Sequence, residues 1–321
     1  MKAGKIIATA VLASAALLSS TSIMAKTAKV AVSQIVEHPA LDAARQGLLD
    51  GLKAKGYEEG KNLEFDYKTA QGNPAIAVQI ARQFVGENPD VLVGIATPTA
   101  QALVSATRSI PVVFTAVTDP VGAKLVKQLK KPGKNVTGLS DLSPVSQHVS
   151  LIKEILPNAK SIGVVFNPGE ANAVTLVELL KDAAKAQGLT VVEATALKSA
   201  DVKSATQAIV AKSDVIYAPT DNTVASAIEG MIVAANQAKT PVFAGATSYV
   251  EKGAIAGLGF DYYQVGVQTA DYVAAILDGE KPGTLDVKVA KGSDLVVNTT
   301  AAKKLGISIP KSVTERATSA K

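Results

Sequence analysis

The predicted elements of this chain are arranged around the segment from Pro111 to Asp141, PVVFTAVTDPVGAKLVKQLKKPGKNVTGLSD. Its apolar run Val112–Phe114 predicts a strand that is buried on both faces of a parallel sheet. A polar turn, a helix and a lysine-rich loop are expected to follow, and then a second short strand that ends at Asp141. This order of strand, helix and strand indicates a parallel α/β unit with a right-handed crossover.

Polar side chains gather where these two predicted strands end. They are Thr115, Thr118, Asp119, Ser140 and Asp141. In an open α/β sheet, the carboxyl ends of the strands form the edge at which ligands bind. The same residue types also form turns and helix N-caps, and Asp119 before Pro120 suits the start of a helix. The binding interpretation therefore depends on whether the pattern is repeated elsewhere.

The alternation of strands and helices continues in both directions. Upstream it predicts strands at 29–33, 63–68 and 91–95 and helices at 40–55, 74–85 and 100–107. Downstream it predicts helices at 144–156, 172–187, 200–212, 223–237 and 265–277, and strands at 161–166, 190–193, 215–218, 241–244 and 254–260, with two strand-like segments at 286–290 and 294–298. A proline-led apolar strand follows a helix in both halves, at 110–114 and 240–243. We interpret the chain as two copies of one α/β architecture.

The amino terminus has the pattern of a secretory signal. Lys2 and Lys5 precede the apolar stretch Ile6–Leu18, and small residues lead to Ala25. The apolar stretch is shorter than the roughly 20 residues that span a membrane. We predict a signal peptide at residues 1–25 and export to the periplasm. Because the chain has no cysteine, neither a lipid anchor on cysteine nor disulfide bonds are expected.

Composition limits the class of protein further. Removing residues 1–25 takes away two lysines and leaves 31 basic against 28 acidic residues, a net charge of about +3. That charge is too small to argue for nucleic acid as a partner. A mature chain of this length is expected to form two domains that each bury an apolar core.

Motifs for catalysis, metals and cofactors are missing. Gly257-Leu-Gly259 lacks the third glycine of a dinucleotide-binding motif, and Gly133-Lys134 lacks the Ser or Thr that follows in a phosphate-binding loop. His38 and His148 are the only histidines, which argues against zinc and against cysteine–histidine chemistry. We therefore predict no cofactor, no metal site, no catalytic residues and no enzymatic activity.

Polar turns after strands recur along the chain, and they suggest the chemistry of the ligand. They contain Ser33-Gln34, Thr97-Pro-Thr99, Thr118-Asp119, Ser140-Asp141, Asn167, Glu170, Asn172, Asp221-Asn222, Ser248 and Asp261. Hydroxyls and helix amino-terminal N–H groups can hold a carboxylate, and acidic side chains can hold an ammonium group. An amino acid carries both groups. These turns contain no lysine or arginine, which argues against phosphates and polyanionic sugars.

Several of these segments together resemble a known family. They are HPALDAARQG (38–47), ATPTAQAL (96–103), PVVFTAVTDPVGA (111–123), NVTGLSD (135–141), YAPTDNTVASA (217–227) and EKGAIAGLGFDYYQVGVQTA (251–270). The sequence resembles the ABC-transporter substrate-binding proteins of the tryptophan or aromatic amino-acid branch, which have the type I periplasmic-binding fold. The resemblance spans nearly the whole mature chain.

The resemblance implies an α/β protein with two Rossmann-like lobes, whose parallel sheets are joined by a three-crossover hinge. The crossings are expected near Asp141, near Asp261 and within 285–291. The amino-terminal lobe would contain residues 26–141 and 262–286, and the carboxyl-terminal lobe residues 142–261 and 287–321. Such a protein closes on a small solute and delivers it to the membrane subunits of an ABC permease. We expect it to act as a monomer.

The resemblance also implies a set of ligand-binding residues. They are Gln34, Thr97, Thr99, Thr118, Ser140, Asp141, Asn167, Asp221, Asn222 and Asp261. As hypotheses, Thr97, Thr99 and Thr118 bind the α-carboxylate, and one of Asp141, Asp221 or Asp261 binds the α-ammonium. Apolar residues near Val36, Phe114, Phe166 and Phe260 would line the side-chain pocket, although Phe114 and Phe260 also suit core packing.

Two other functions stay open at this point. One is an exported enzyme, such as a hydrolase, although no nucleophile–base pattern supports it. The other is a sensor module that passes the ligand-closed state to a membrane receptor. Among ligands, Trp, Phe and Tyr lead, and branched aliphatic amino acids or another small solute remain alternatives, because a fold alone does not specify a ligand.

Overall fold

The structure is a computed structural model, and it describes residues 27–291 and 293–320. The predicted signal peptide, residues 1–25, lies outside the described residues. Two α/β lobes are present, and each has one mostly parallel sheet. None of the helices in the described part of the chain combines the length and apolar character needed to cross a membrane.

The first lobe begins with five strands and three helices. They are β1 (Ala28–Gln34), α1 (Pro39–Ala54), β2 (Leu63–Thr69), α2 (Pro74–Glu87), β3 (Val91–Ile95), α3 (Thr97–Ala106), β4 (Val112–Val117) and β5 (Val136–Ser140). β3 and β4 are buried at every position, as the apolar runs predicted for strands covered on both faces. β1, β3, β4 and β5 pair in parallel, so their carboxyl ends meet at one edge of this sheet.

The second lobe repeats the alternation. Its elements are α4 (Val145–Ile155), β6 (Ser161–Phe166), α5 (Ala171–Ala186), β7 (Thr190–Thr195), α6 (Val202–Ile209), β8 (Val215–Ala218), α7 (Asn222–Ala225), α8 (Ile228–Gln237), β9 (Val242–Ala244), α9 (Ser248–Glu251) and β10 (Ala256–Gly259). Short 3₁₀ turns flank α6 at 199–201 and 210–212. β6, β8 and β9 pair in parallel, so their carboxyl ends also share one edge.

The chain then returns to the first lobe and leaves it again. The remaining elements are α10 (Tyr262–Leu277), β11 (Lys288–Val289), β12 (Asp294–Val297), α11 (Thr299–Lys304), α12 (Lys311–Thr314) and β13 (Ser319–Ala320), with a 3₁₀ turn at 282–284. The first sheet has the order β11-β5-β4-β3-β1-β2, and the second β13-β12-β10-β9-β8-β6-β7. The chain thus passes between the sheets after β5, after β10 and after β11.

Three expectations from the sequence need correction. The predicted helix after Pro120 does not form: residues 121–135 are turns and bends. The Asp119 carboxylate accepts hydrogen bonds from the N–H groups of Val121 and Gly122, and Lys124 has a φ of 61°, so the backbone turns instead of continuing as a helix. The predicted helix at 223–237 is divided into α7 and α8. The third lobe boundary lies beyond 286/287, because β11 pairs with β5 of the first sheet.

Candidate ligand-binding site

A narrow cavity of about 20 Å³ lies between the two lobes. It is formed where the carboxyl edges of both sheets face each other, as expected for a ligand site in open α/β sheets. The first lobe and the chain crossings contribute His38, Ala40, Leu41, Ala116, Thr118, Asp141 and Tyr262 to its lining. The second lobe contributes Asn172, Thr220, Asp221, Asn222, Ala225, Ala246 and Tyr249.

A bulge at the end of β4 shapes the wall in the first lobe. The pairing of β4 with β5 shifts register between Phe114 and Val117, and Ala116 has a φ of 52°. A positive φ is strained for alanine, and bulges of this kind are frequent where a strand presents groups to a ligand. The bulge leaves Ala116 and Thr118 facing the cavity.

Asp141 is the acidic group that is best placed for a cationic ligand. It is buried at the first crossing, where its Oδ2 accepts a hydrogen bond of 2.6 Å from the hydroxyl of Tyr262. Its Oδ1 is buried and has no hydrogen-bond partner. Burial raises the pKa of Asp141, and the hydrogen bond from Tyr262 opposes that shift. None of the described residues that line the cavity is lysine or arginine. A buried carboxylate with a free oxygen and no basic neighbour in the lining suits an ammonium group from a ligand.

Asp221, in contrast, is engaged within its own lobe. Its Oδ1 accepts the N–H of Val224 at 2.9 Å, and its Oδ2 accepts the N–H of Asn167 at 2.6 Å. Burial and the nearby negative charge of Glu170 raise the pKa of Asp221. Asp221 therefore caps α7 and fixes the neighbouring turn, with no oxygen left unpartnered.

Glu170 supports the same loop and was not among the predicted site residues. Its Oε2 accepts hydrogen bonds from the backbone N–H of Asn222 (3.1 Å) and from the side-chain amide of that residue (2.5 Å). Its Oε1 accepts the N–H and the hydroxyl of Thr223 at 3.0 and 2.8 Å. These bonds hold Asn222 at the cavity wall.

Other buried polar atoms without hydrogen-bond partners also lie on the cavity wall. They are both ring nitrogens of His38, Oδ1 of Asn172 and Oγ1 of Thr220. Burial lowers the pKa of His38 to about 4, and the nearby side chain of Asn222 offsets only part of that shift, so the imidazole is neutral at pH 7. Buried polar groups are normally paired, so such a concentration of unpaired ones indicates a place for a polar ligand.

The structure brings four of the ten predicted site residues to the cavity wall: Thr118, Asp141, Asp221 and Asn222. Asp261 is exposed and accepts hydrogen bonds from the N–H groups of Tyr263 and Gln264, so it is the N-cap of α10.

The other five predicted residues are not part of the cavity lining. The hydroxyl of Ser140 donates to the carbonyl of Thr118 at 2.9 Å and ties the ends of β4 and β5 together. The hydroxyl of Thr99 donates to the carbonyl of Ile95. The amide of Gln34 donates to Val36 and Asp42, and Asn167 donates to Thr223. Thr97 is buried, and its hydroxyl has no partner.

The apolar part of the wall differs from the expectation. Leu41, Tyr249 and Tyr262 line the cavity, whereas the four predicted positions near Val36, Phe114, Phe166 and Phe260 do not. Phe114 is fully buried against Gly138, where a Cβ would lie only 2.7 Å from its ring. The local sequence gave little indication that the unpredicted residues of the cavity wall would lie there. His38 stood in a polar turn and Tyr262 directly followed Asp261, but aromatic residues at those positions also suit a core.

The burial of Asp141 leads to a pH-dependent prediction. Its folded-state pKa is raised above the unfolded value, so its favourable contribution to stability is present at low pH and lost as the pH rises through the folded pKa. We expect Asp141→Asn, which can still accept from Tyr262, to be more stable than the wild type at neutral pH. The difference in free energy of unfolding between the variant and the wild type should decrease as the pH is lowered. Urea unfolding of both unliganded proteins at about pH 5 and about pH 7.5 measures it, and a gap that does not change with pH would contradict the prediction.

Comparisons with known proteins agree with this architecture. The model of the family described as "ABC transporter substrate binding protein" matches residues 29–321. The chain belongs to this family of substrate-binding proteins. Solved structures with the same two-lobed fold include a solute-binding protein from Bacillus halodurans, which is 17% identical to this chain and has a TM-score of 0.64.

Individual relatives are more similar. The chain is 38% identical over 280 residues to a tyrosine-binding protein of Clostridioides difficile (strain R20291), covering 87% of this chain and 81% of that one. A crystal structure of a conserved domain protein from Vibrio cholerae is 85% identical, covers 92% of this chain and 100% of its own, and has a TM-score of 0.92.

Two further solved structures have the same sequence identity to this chain but different TM-scores. A protein from Streptococcus pneumoniae in complex with L-Trp is 39% identical, covers 92% of this chain and 100% of its own, and has a TM-score of 0.89. A ligand-free, open substrate binding protein from Clostridium difficile is also 39% identical, with coverages of 92% and 99%, but its TM-score is 0.70. At nearly equal sequence identity and coverage, this chain therefore superposes more closely on the L-Trp complex than on the ligand-free, open structure.

Proposed function

We propose that this chain is a receptor that captures an aromatic amino acid, Trp, Tyr or Phe, in the cavity between its lobes. The observation that carries the proposal is the unpartnered Oδ1 of buried Asp141 in a cavity that no lysine or arginine lines among the described residues. The names of the relatives support the ligand class, because one relative is in complex with L-Trp and another is a tyrosine-binding protein.

In this proposal, the α-ammonium group donates a hydrogen bond to Oδ1 of Asp141. Such charge-assisted bonds are strong, and they are stronger in a site that is shielded from water. Tyr262 fixes the carboxylate by its bond to Oδ2, so Oδ1 keeps one orientation toward the ligand. The ligand's charge replaces the solvation that Asp141 lost on burial.

The aromatic side chain of the ligand would contact Leu41, Tyr249 and Tyr262. Tyrosine rings offer a large apolar surface and favour offset or edge-to-face contacts with another ring. Burial raises the pKa values of both Tyr249 and Tyr262 well above the usual range, so these phenols stay neutral while they contact the ligand. A branched aliphatic amino acid would bury less surface against them.

Capture would proceed by closure of the two lobes around the ligand, as in other hinged binding proteins. Because the cavity wall contains residues of both lobes, the ligand binds the closed state with more contacts than the open one, and this difference shifts the equilibrium toward closure. We propose that the closed protein, exported to the periplasm by the predicted signal peptide, acts as a monomer and presents the ligand to an ABC permease. We propose that it performs no chemistry on the ligand.

A ligand screen tests the proposal. The mature protein is stripped of ligand by unfolding and refolding, and its melting temperature is measured with each amino acid. A ligand at about 100 times its dissociation constant should stabilise the fold by roughly 2.7 kcal/mol. We expect Trp, Tyr or Phe to raise the melting temperature and aliphatic amino acids to do so much less. Absence of a shift with all three aromatic amino acids, in protein shown to have refolded, would contradict the proposed ligand class.

A further inference from the structure

We infer that the first turn of α1, together with His38, binds the α-carboxylate of the ligand. This inference rests on the proposed function, because it assigns the second charged group of an amino acid whose ammonium is at Asp141. It differs from the assignment that the sequence suggested, in which Thr97, Thr99 and Thr118 receive the carboxylate.

The first turn of α1 presents free backbone donors to the cavity. His38 is the N-cap and Pro39 the first helical residue, and no side chain caps this end. The first N–H that bonds within the helix is that of Asp42, which donates to the carbonyl of His38 at 3.0 Å. The N–H groups of Ala40 and Leu41 have no acceptor within the helix, and both residues line the cavity. A sixteen-residue helix directs partial positive charge to this end, which favours a carboxylate.

His38 is the independent observation that a ligand group belongs here. Its side chain is buried, with 8% of the residue's surface exposed, and it lies on the cavity wall. Neither ring nitrogen has a hydrogen-bond partner. A neutral imidazole has one N–H donor and one acceptor nitrogen, and a carboxylate oxygen at the α1 terminus can accept from that donor. The extended backbone of His38, with φ −160° and ψ 159°, is the usual conformation of an N-cap residue, yet its side chain makes no cap hydrogen bond.

The other helix starts near the cavity are unsuitable for a carboxylate. α5 begins beside the carboxylate of Glu170, which is its N-cap residue. α7 and α9 have only four residues each, and the side chain of Asp221 caps α7. α10 is capped by Asp261. The first residues of α3 are absent from the cavity lining, although its N-terminus is uncapped too.

The two proposed binding groups line the same cavity, as one amino acid requires, because its ammonium and carboxylate are attached to the same carbon atom. α1 packs directly on α10, because a Cβ added to Gly47 of α1 would lie 2.0 Å from the carbonyl oxygen of Tyr263. Tyr262, the first residue of α10, holds Asp141 through its hydroxyl. The packing of α1 on α10 therefore brings the free N–H groups of α1 to the side of the cavity where Asp141 lies.

His38→Asp tests the inference, since it supplies a carboxylate within the protein. Aspartate is a preferred N-cap, so its side chain should accept the free N–H groups of α1 and compete with the ligand. The unliganded melting temperature should be equal or higher, while affinity for L-tyrosine and L-tryptophan, measured by calorimetry, should fall by roughly 100-fold or more. Ala227→Asp is the matched control: it adds the same residue at the uncapped start of α8, outside the cavity lining, and should leave affinity unchanged.

Ligands that lack one of the two charged groups distinguish the proposed ammonium site from the proposed carboxylate site. Wild type should bind tyramine and tryptamine, which lack the carboxylate, much more weakly than the amino acids. In His38→Asp this preference should disappear or reverse, whereas His38→Gln, which keeps an N–H donor, should retain part of it. Binding of L-tyrosine and L-tryptophan to His38→Asp within about threefold of the wild type, or an unchanged preference over the amines, would overturn the inference. Failure of the wild type to bind any aromatic amino acid would instead refute the proposed function.

Discussion

Replacing Asp141 with asparagine is expected to weaken the binding of an aromatic amino acid by roughly 2–5 kcal/mol, the cost of losing one member of a buried charge pair. Asparagine keeps nearly the same volume and can still accept a hydrogen bond from Tyr262. The change therefore removes the negative charge and leaves the wall of the cavity in place. Calorimetry with L-tryptophan and L-tyrosine measures the effect directly.

The other two acids named from the sequence provide controls. Asp261→Asn alters an exposed N-cap outside the cavity lining, so affinity should stay at the wild-type value. Asp221→Asn disturbs the hydrogen bonds to Val224 and Asn167, so we expect a lower free energy of unfolding as well as weaker binding. If Asp141→Asn has the affinity of the wild type while Asp261→Asn does not, the ammonium group has been assigned to the wrong residue.

Most of the fold could be predicted because its elements depend on local pattern. The strands at 91–95, 161–166 and 215–218 have the predicted bounds, since apolar runs between turn residues leave few alternatives. The segment after Pro120 was mispredicted for a related reason. Asp followed by Pro suits both a helix start and a closed turn, and the carboxylate of Asp119 binds two successive N–H groups as a turn does.

The site was less predictable, because helix caps and ligand contacts use the same residue types. Asp141 and Asp261 both follow a strand and precede a helix, yet one has a buried free oxygen and the other bonds to its own helix. Only the packing of distant segments distinguishes them. His38 and Tyr262 likewise reach one cavity because α1 and α10 pack together across more than 200 residues of sequence, a contact without a local signal.

The contact between α1 and α10 also determines the second large expected effect. Gly266 lies within α10, and a Cβ at this position would be 2.0 Å from the carbonyl oxygen of Ala44 and 2.7 Å from the backbone nitrogen of Leu48. Both atoms belong to the backbone of α1, which cannot move aside as a side chain can. Gly266→Ala should therefore force the helices apart and destabilise the protein by about 3 kcal/mol or more, at or beyond the upper end for overpacked cores.

Gly86→Ala is the matched control for this effect, since it makes the same substitution within a helix. Gly86 lies in α2 with no atom within 4 Å of the added Cβ, so the variant should gain about 0.5–1 kcal/mol from helix propensity alone. Urea unfolding of both variants provides the comparison. A Gly266→Ala protein as stable as the wild type would show that the close helix contact is absent in solution. Where Gly266→Ala still folds, we expect weaker ligand binding, because separating α1 from α10 moves His38 away from Tyr262, and both line the cavity.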